Sequence, residues 1–397
     1  MLSANNHKIA WRSPYSLIIA GGAGAFVMYC AWEVLHINPW GIRFLFDAND
    51  LNVYFKSSRW VVGQGILYKG VFSEYPLLAN LIFGFVRYLS EILHPFPSSF
   101  DSFAWVWMSI AWFIYLGIIY QVATKISKQA LWIWLAPAPL YFALLRFDIY
   151  PALMTLLALF AMRSQKYVWG ALWLGLAIAF KGYALVLVPA FFVFIYYRKG
   201  LLAAVEITVI CLTPFVLSQL AVFAYAGLDS VKQPYLYHIN RSTNNESTYD
   251  ALAKLNEVIA YLLLPFLHHL SNLAKGLQIA TSLLAAVFKP KTFEDLVHSF
   301  LFAILGFISF SIFHSPQFVL WIVPIACFSP SRWLNFWAIA YSWVIYLFFP
   351  IVYDRYHYTH FAFKLTVILI SAVRLIMLYL SFRELQVKAS LKYRASK

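Results

Sequence analysis

Charge is scarce in this chain. Only 12% of its 397 residues are Asp, Glu, Lys or Arg, while 62% are hydrophobic; soluble globular domains carry roughly 25% charged residues. That shortage excludes a water-soluble globular enzyme. Cysteine is scarcer still: Cys30, Cys211 and Cys327 each sit inside an apolar run, which excludes a disulfide framework and a metal-ligand spacing and leaves them as core residues. Tandem repeats, low-complexity tracts and a glycine-rich nucleotide loop are absent as well. No cofactor is expected, and whether a divalent metal assists is left open.

What the chain has instead is long apolar runs and a mean hydropathy of +0.71. Runs of about 20 residues span a hydrocarbon core of about 30 Å as helices. The expectation is one all-α domain over residues 1–397, a polytopic membrane helix bundle of about 12 crossings with short helices in the first external loop. The first run, Leu17 to Leu35, is too long and wrongly flanked for a cleaved signal peptide, so it reads as the first membrane helix. Two crossings at Leu77–Leu93 and Phe103–Ala123 would leave Lys125 on the outside, so one of them is short of a full span or Lys125 breaks the charge pattern. The stretch Leu252 to His269 reads as a helix lying along the outer surface, because His268 and His269 sit poorly in mid-bilayer.

The formal net charge of +14 would suggest nucleic acid in a soluble protein, but here topology explains it. Lys125 and Lys128, Arg163 and Lys166, Arg198 and Lys199, Lys289 and Lys291, and Arg332 fall in short connections, as the positive-inside rule expects of cytoplasmic loops. The remaining connections then face outward: Asn38–Pro76, Arg146–Tyr150, the turn at Lys181, Gly227–Lys254, His314–Gln317 and Tyr353–His360. Nearly every unusual polar residue lies in this second set, so function is expected on the outer face.

The first outer connection reads FDANDLNVYFKSSRWVVGQGILYKGVFSEYPLLA. Asp47 and Asp50 share a face if a short helix starts there, and Tyr54 falls one turn beyond Asp50. The plain alternative is that Asp47 caps a helix and Asp50 is solvated. Glu74 and Tyr75 mark the return to the membrane and can serve as an interface anchor. In LLRFDIYPALM, Arg146 and Asp148 interrupt two apolar runs. Charges in a membrane segment cost roughly 2.5–3.5 kcal/mol on insertion scales, so they face a cavity or each other. Lys181 is a single cation between apolar stretches on the outer side, where topology gives no reason for it. His238 and Arg241, one turn apart, with Glu246 beyond them, can hold an anionic oxygen or sugar hydroxyls. His314 and Gln317 form a polar helix start.

These motifs, in this order, resemble the GT-C superfamily of membrane glycosyltransferases, and within it the polyprenol-phosphate-mannose-dependent α-mannosyltransferases. The resemblance covers roughly residues 45–325. It implies a lipid-phosphate sugar donor, mannose as the sugar, an acceptor hydroxyl on a glycolipid or glycan, and membrane lipid as surroundings, without nucleic acid. It also implies an acidic base in the first external loop, carried here by Asp50, and phosphate or sugar contacts from Lys181, His238 and Arg241. Asp47, Tyr54, Glu74, Tyr75, Arg146, Asp148, Glu246, His314 and Gln317 complete the expected substrate site. The membrane would be the plasma membrane of a bacterium, or the endoplasmic reticulum membrane of a eukaryote. The rival of another class is a transporter or flippase of lipid-linked saccharides, which would show broken helices in pairs.

Overall fold

The computed structural model describes residues 47, 49–239, 244, 246–250 and 257–395. Among them the chain is helical, with no strand; the nearest thing is an isolated bridge between Leu67 and Val71. The expected first membrane helix at Leu17–Leu35, Cys30 and Arg241 lie outside the described residues.

Five helices are long and apolar enough to cross a membrane: Ser99–Lys125, Gly182–Lys199, Leu201–Ala226, Arg332–Val352 and Phe361–Val387. A sixth span results if Pro137–Leu145 and Ile149–Arg163, bent by 117° at their junction, count as one. The expectation of about twelve crossings stands against five or six among the described residues, by length and composition, and that count does not confirm it; several other apolar helices are shorter or more enclosed. Phe293–Ser309 is buried along almost its whole length, the fate of a helix that is apolar on every side. Leu77–Leu93 has 17 residues and buries Arg87, which pairs with Glu91 at 2.6 Å. Ser99–Lys125 is the full-length span of that pair. The region expected as a separate surface helix before His269 runs, from Glu257, without interruption to Val287.

Local chemistry explains the element boundaries. Thr292 and Asp295 form a capping box at the start of the buried helix: Asp295 N donates to Thr292 Oγ1 and Thr292 N donates to Asp295 Oδ2, both at 3.1 Å. This satisfies amide groups that would otherwise be orphaned at the helix start. Pro350, which lacks an N–H, lies in a π-helical turn, Leu347–Val352, that ends the Arg332 span; such turns often accompany functional sites. Where Tyr167–Phe180 packs on Leu201–Ala226, a Cβ on Gly175 would lie 2.1 Å from the Cys211 carbonyl oxygen. Only glycine allows these two backbones to come so close.

The two sets of connections separate in space. At one end Arg163 Nη1 donates to the Lys125 carbonyl at 3.2 Å, Lys199 lies over the Tyr167 ring and Lys291 over the Tyr197 ring. The polar connections gather at the other.

Candidate active site

A cavity of about 730 Å³ draws on every connection assigned to the outer face. Its lining includes Asp50, Glu74 and Tyr75 from the first, Arg146 from the second and Lys181 from the third. His238 and Glu246, His314 and Gln317, and Tyr353 come from the remaining connections. Among the described residues, none from the basic connections lines it. The volume falls within the roughly 300–1,000 Å³ of small-molecule sites.

The first wall starts at the short helix Asn49–Ser57. Asp47 precedes it, buried, and its Oδ1 accepts from Asn49 N at 3.1 Å. Its Oδ2 accepts from Arg146 Nη2 at 2.8 Å, while Arg146 Nε lies 3.0 Å from Asp50 Oδ2. Arg146 is 2% exposed, but the Asp50 side chain keeps 28% of its surface open. The arginine thus joins a buried and a cavity-facing carboxylate. Tyr54, fully buried, stacks on Phe83 at 4.5 Å, accepts weakly from Phe147 N at 3.4 Å, and points its hydroxyl at Asp50 Oδ2, 3.5 Å away. Burial, then the Asp50 charge, holds that hydroxyl protonated well above the usual phenol range.

The second wall is the break between Pro137–Leu145 and Ile149–Arg163. The mutual Arg146–Asp148 ion pair weighed from the sequence does not form. Asp148, fully buried at the start of the second half-helix, pairs with Lys181 Nζ at 2.8 Å and accepts from Trp321 Nε1 at 2.6 Å. A carboxylate at a helix start is favoured by the macrodipole. Lys181 keeps 18% of its side chain exposed and lies 4.5 Å from the Phe147 ring centroid and 5.2 Å from that of Trp321. Each cation is therefore held by a carboxylate rather than solvated. Asp47, Asp50 and Asp148 against Arg146 and Lys181 leave this cluster one negative charge in excess.

Tyr183 stacks on Trp321 at 4.2 Å, and Phe318 at 3.8 Å; these aromatics lie in the cavity lining. Stacked on one another and buried, these rings form an apolar wall beside the ionised groups. His238, at the exposed rim, has Nε2 3.2 Å from the Glu74 carbonyl. Ser315 Oγ donates to Gln317 Oε1 at 2.6 Å. His314 is buried; its Nε2 is 3.0 Å from Tyr341 Oη and its Nδ1 3.9 Å from Glu246 Oε2.

The structure thus brings Asp50, Glu74, Tyr75, Arg146, Lys181, His238, Glu246, His314 and Gln317 onto one cavity, with Asp47, Tyr54 and Asp148 in the layer behind. The sequence reading missed Lys275 and Gln278, which line the cavity, as well as Trp321, Tyr341 and Arg374. The lone cation in SAVRLIM was the available signal for Arg374; an indole donor within an apolar run gives none. Among the described residues no three His, Cys, Asp or Glu side chains come together as a metal-binding group.

The sequence model of glycosyltransferase family 87 matches residues 74–311. The chain belongs to that family. Family 87 is a GT-C-type, mannosyltransferase-like family of membrane glycosyltransferases, so this protein is a membrane glycosyltransferase that brings together a donor, an acceptor and membrane lipid. Neither the curated proteins nor the solved structures contain a match. The carrier alternative is not favoured; paired broken helices were its signature, and one bent pair is present among the described residues.

Proposed function

We propose that this glycosyltransferase moves a sugar, mannose in our reading, from a polyprenyl-phosphate donor to an acceptor hydroxyl on a glycolipid or glycan at the outer face of the membrane. The observation that carries the reading is the convergence of all the outer connections on one cavity, in which a partly open carboxylate, Asp50, shares space with Lys181, His238 and Lys275.

Asp50 accepts the proton of the acceptor hydroxyl as the acceptor oxygen bonds to the sugar's anomeric carbon. The bond from that carbon to the phosphate oxygen breaks, its electron pair stays on the oxygen, and polyprenyl phosphate leaves with one more negative charge. Arg146 fixes the carboxylate that takes the proton; Asp47 holds Arg146 from behind. Lys181 donates one hydrogen bond to Asp148 and keeps its other N–H donors for phosphate oxygens, since an ammonium carries three. A cation placed in advance stabilises the charge that grows on the leaving oxygen. The membrane is read as a bacterial plasma membrane, with the twelve-crossing count retained as a proposal for the whole chain.

The test is purified protein incubated with labelled polyprenyl-phosphate-mannose, and in parallel with other polyprenyl-phosphate sugars. Product formed in detergent supports transfer. Movement of label only across sealed vesicles, without a new glycosidic bond, overturns it in favour of a carrier.

A further inference from the structure

Arg374 stands midway along the Phe361–Val387 span, about 20 Å of helix from Phe361 at about 1.5 Å per residue. It is fully buried. A charge at that depth is costly and, where kept, marks a working part of the protein. Its Nη2 donates to Ser371 Oγ on its own helix at 3.2 Å and to Thr248 Oγ1 in the turn that begins at Glu246. The Tyr341 hydroxyl faces it as a hydrogen-bond acceptor, and the Glu246 carboxylate supplies the negative charge of its surroundings.

Thr248 therefore lies at mid-span depth. The non-helical backbone that leads to it, at Asn244, Glu246 and Ser247, is tolerated near the membrane interior only when it is buried in protein or lines a cavity; Ser247 is buried, and Asn244 and Glu246 line the cavity. Ser247, fully buried, receives the Asp250 amide on its hydroxyl at 3.2 Å. Tyr249 Oη donates to the Phe310 carbonyl at 3.2 Å. Asn244 exchanges two hydrogen bonds with the His314 backbone, one of them His314 N to Asn244 Oδ1 at 2.9 Å. Asn244, Glu246 and His314 line the cavity.

We infer that Arg374 is a positioning residue for glycosyl transfer: through Thr248 and Glu246 it fixes Asn244 and the Glu246–Asp250 turn against His314, forming the wall that receives substrate hydroxyls. The inference rests on the transferase reading above. Charge adds to the geometry. His314 faces Tyr341 Oη, the Glu246 carboxylate and Arg374; burial first, and then the Arg374 charge, lowers its pKa well below the ordinary value. A neutral imidazole can both donate and accept.

Arg374→Met keeps the length and removes the charge and the fork. In detergent-purified protein, amide exchange at Thr248–Asp250 and at His314 should quicken at least tenfold. The substrate KM should rise about tenfold with kcat changed less, as expected when ground state and transition state lose the same contacts. Removing a cation also lifts the His314 pKa toward its ordinary value, so the acid limb of the pH–activity profile should move up. Arg374→Lys should restore part of each effect. Thr248→Val removes one hydrogen bond of the clamp and decides the matter if Arg374→Met does not fold; it should quicken the same amides and raise KM. Unchanged exchange in the folded variants overturns the inference whatever the transfer assay gives, and so separates it from failure of the transferase reading. Faster exchange with unaltered KM and pH profile overturns it as well, leaving Arg374 a packing residue.

Discussion

Replacing Asp50 with Asn is the most informative perturbation, because the structure separates its chemical effect from its structural one. Asn keeps the size of the side chain and an oxygen facing Arg146 Nε, which now lies 3.0 Å from Asp50 Oδ2 in an ion pair. Arg146 remains paired with Asp47 at 2.8 Å, so no buried charge is abandoned. The stability lost is that of one ion-pair contact to a partly open carboxylate, about 1 kcal/mol, and less in so far as Asn replaces it. Transfer should fall by about 100- to 10,000-fold, the contribution of a general base, or about 2.7–5.4 kcal/mol of barrier. Donor binding should survive, because the base acts on the acceptor. Asp47→Asn should show the opposite balance. Asp47 is buried, caps the Asn49–Ser57 helix and holds Arg146, so breaking that pair should cost about 3–5 kcal/mol, rather than the ~1 kcal/mol of a cap alone. The assay is single-turnover transfer of labelled sugar in detergent, with thermal unfolding of the same samples. Near-normal transfer by folded Asp50→Asn refutes the base assignment; a larger loss of rate in folded Asp47→Asn moves the base to Asp47.

Three further outcomes are open to direct measurement. Lys181→Met should raise the donor KM and lower kcat together, because a phosphate contact persists into a transition state of greater charge; it also strips Asp148 of its cation, so Lys181→Arg is the control for charge, and unchanged donor kinetics in both would reduce Lys181 to a structural ion pair. Gly175→Val should fail to accumulate as folded protein, since its Cβ would meet the Cys211 carbonyl oxygen at 2.1 Å; normal yield and normal melting would show that the two helices can separate without cost. Cysteine placed at exposed Gly70, where a Cβ meets nothing closer than 3.4 Å, should react with an impermeant thiol reagent on intact cells, whereas cysteine at exposed Lys166 should react only after lysis; the reverse pattern would invert the topology.

Hydropathy and charge are local properties, and what they decide was legible. All-helical structure follows from apolar runs whose backbone must satisfy itself in lipid. The division of connections into a basic set and a set rich in Asp, Glu and His is readable residue by residue, and the second set meets on one cavity. Helix breaks at Arg146–Asp148 and Lys181 are legible too, as charges between apolar stretches.

Partnership was not legible, because it depends on which helix faces meet. Arg146 finds Asp47, 99 positions away, rather than its near neighbour Asp148, because the 117° bend turns the two half-helices apart. Asp148 is then left to Lys181 and to Trp321, the latter 173 positions distant. Arg374 reaches beyond Ser371 of its own helix to Thr248 only because a polar turn, whose sequence reads as a surface loop, descends beside the Phe361–Val387 helix. The number of spans likewise waited on packing, since an apolar helix enclosed by other helices and one that faces lipid are written in the same residues. The sequence by itself thus determined that this chain lives in a membrane and puts its polar chemistry at one end; tertiary structure alone decided which charges neutralise each other, and so left Asp50 and Lys181 partly open to the cavity while Asp47, Arg146 and Asp148 are buried behind them.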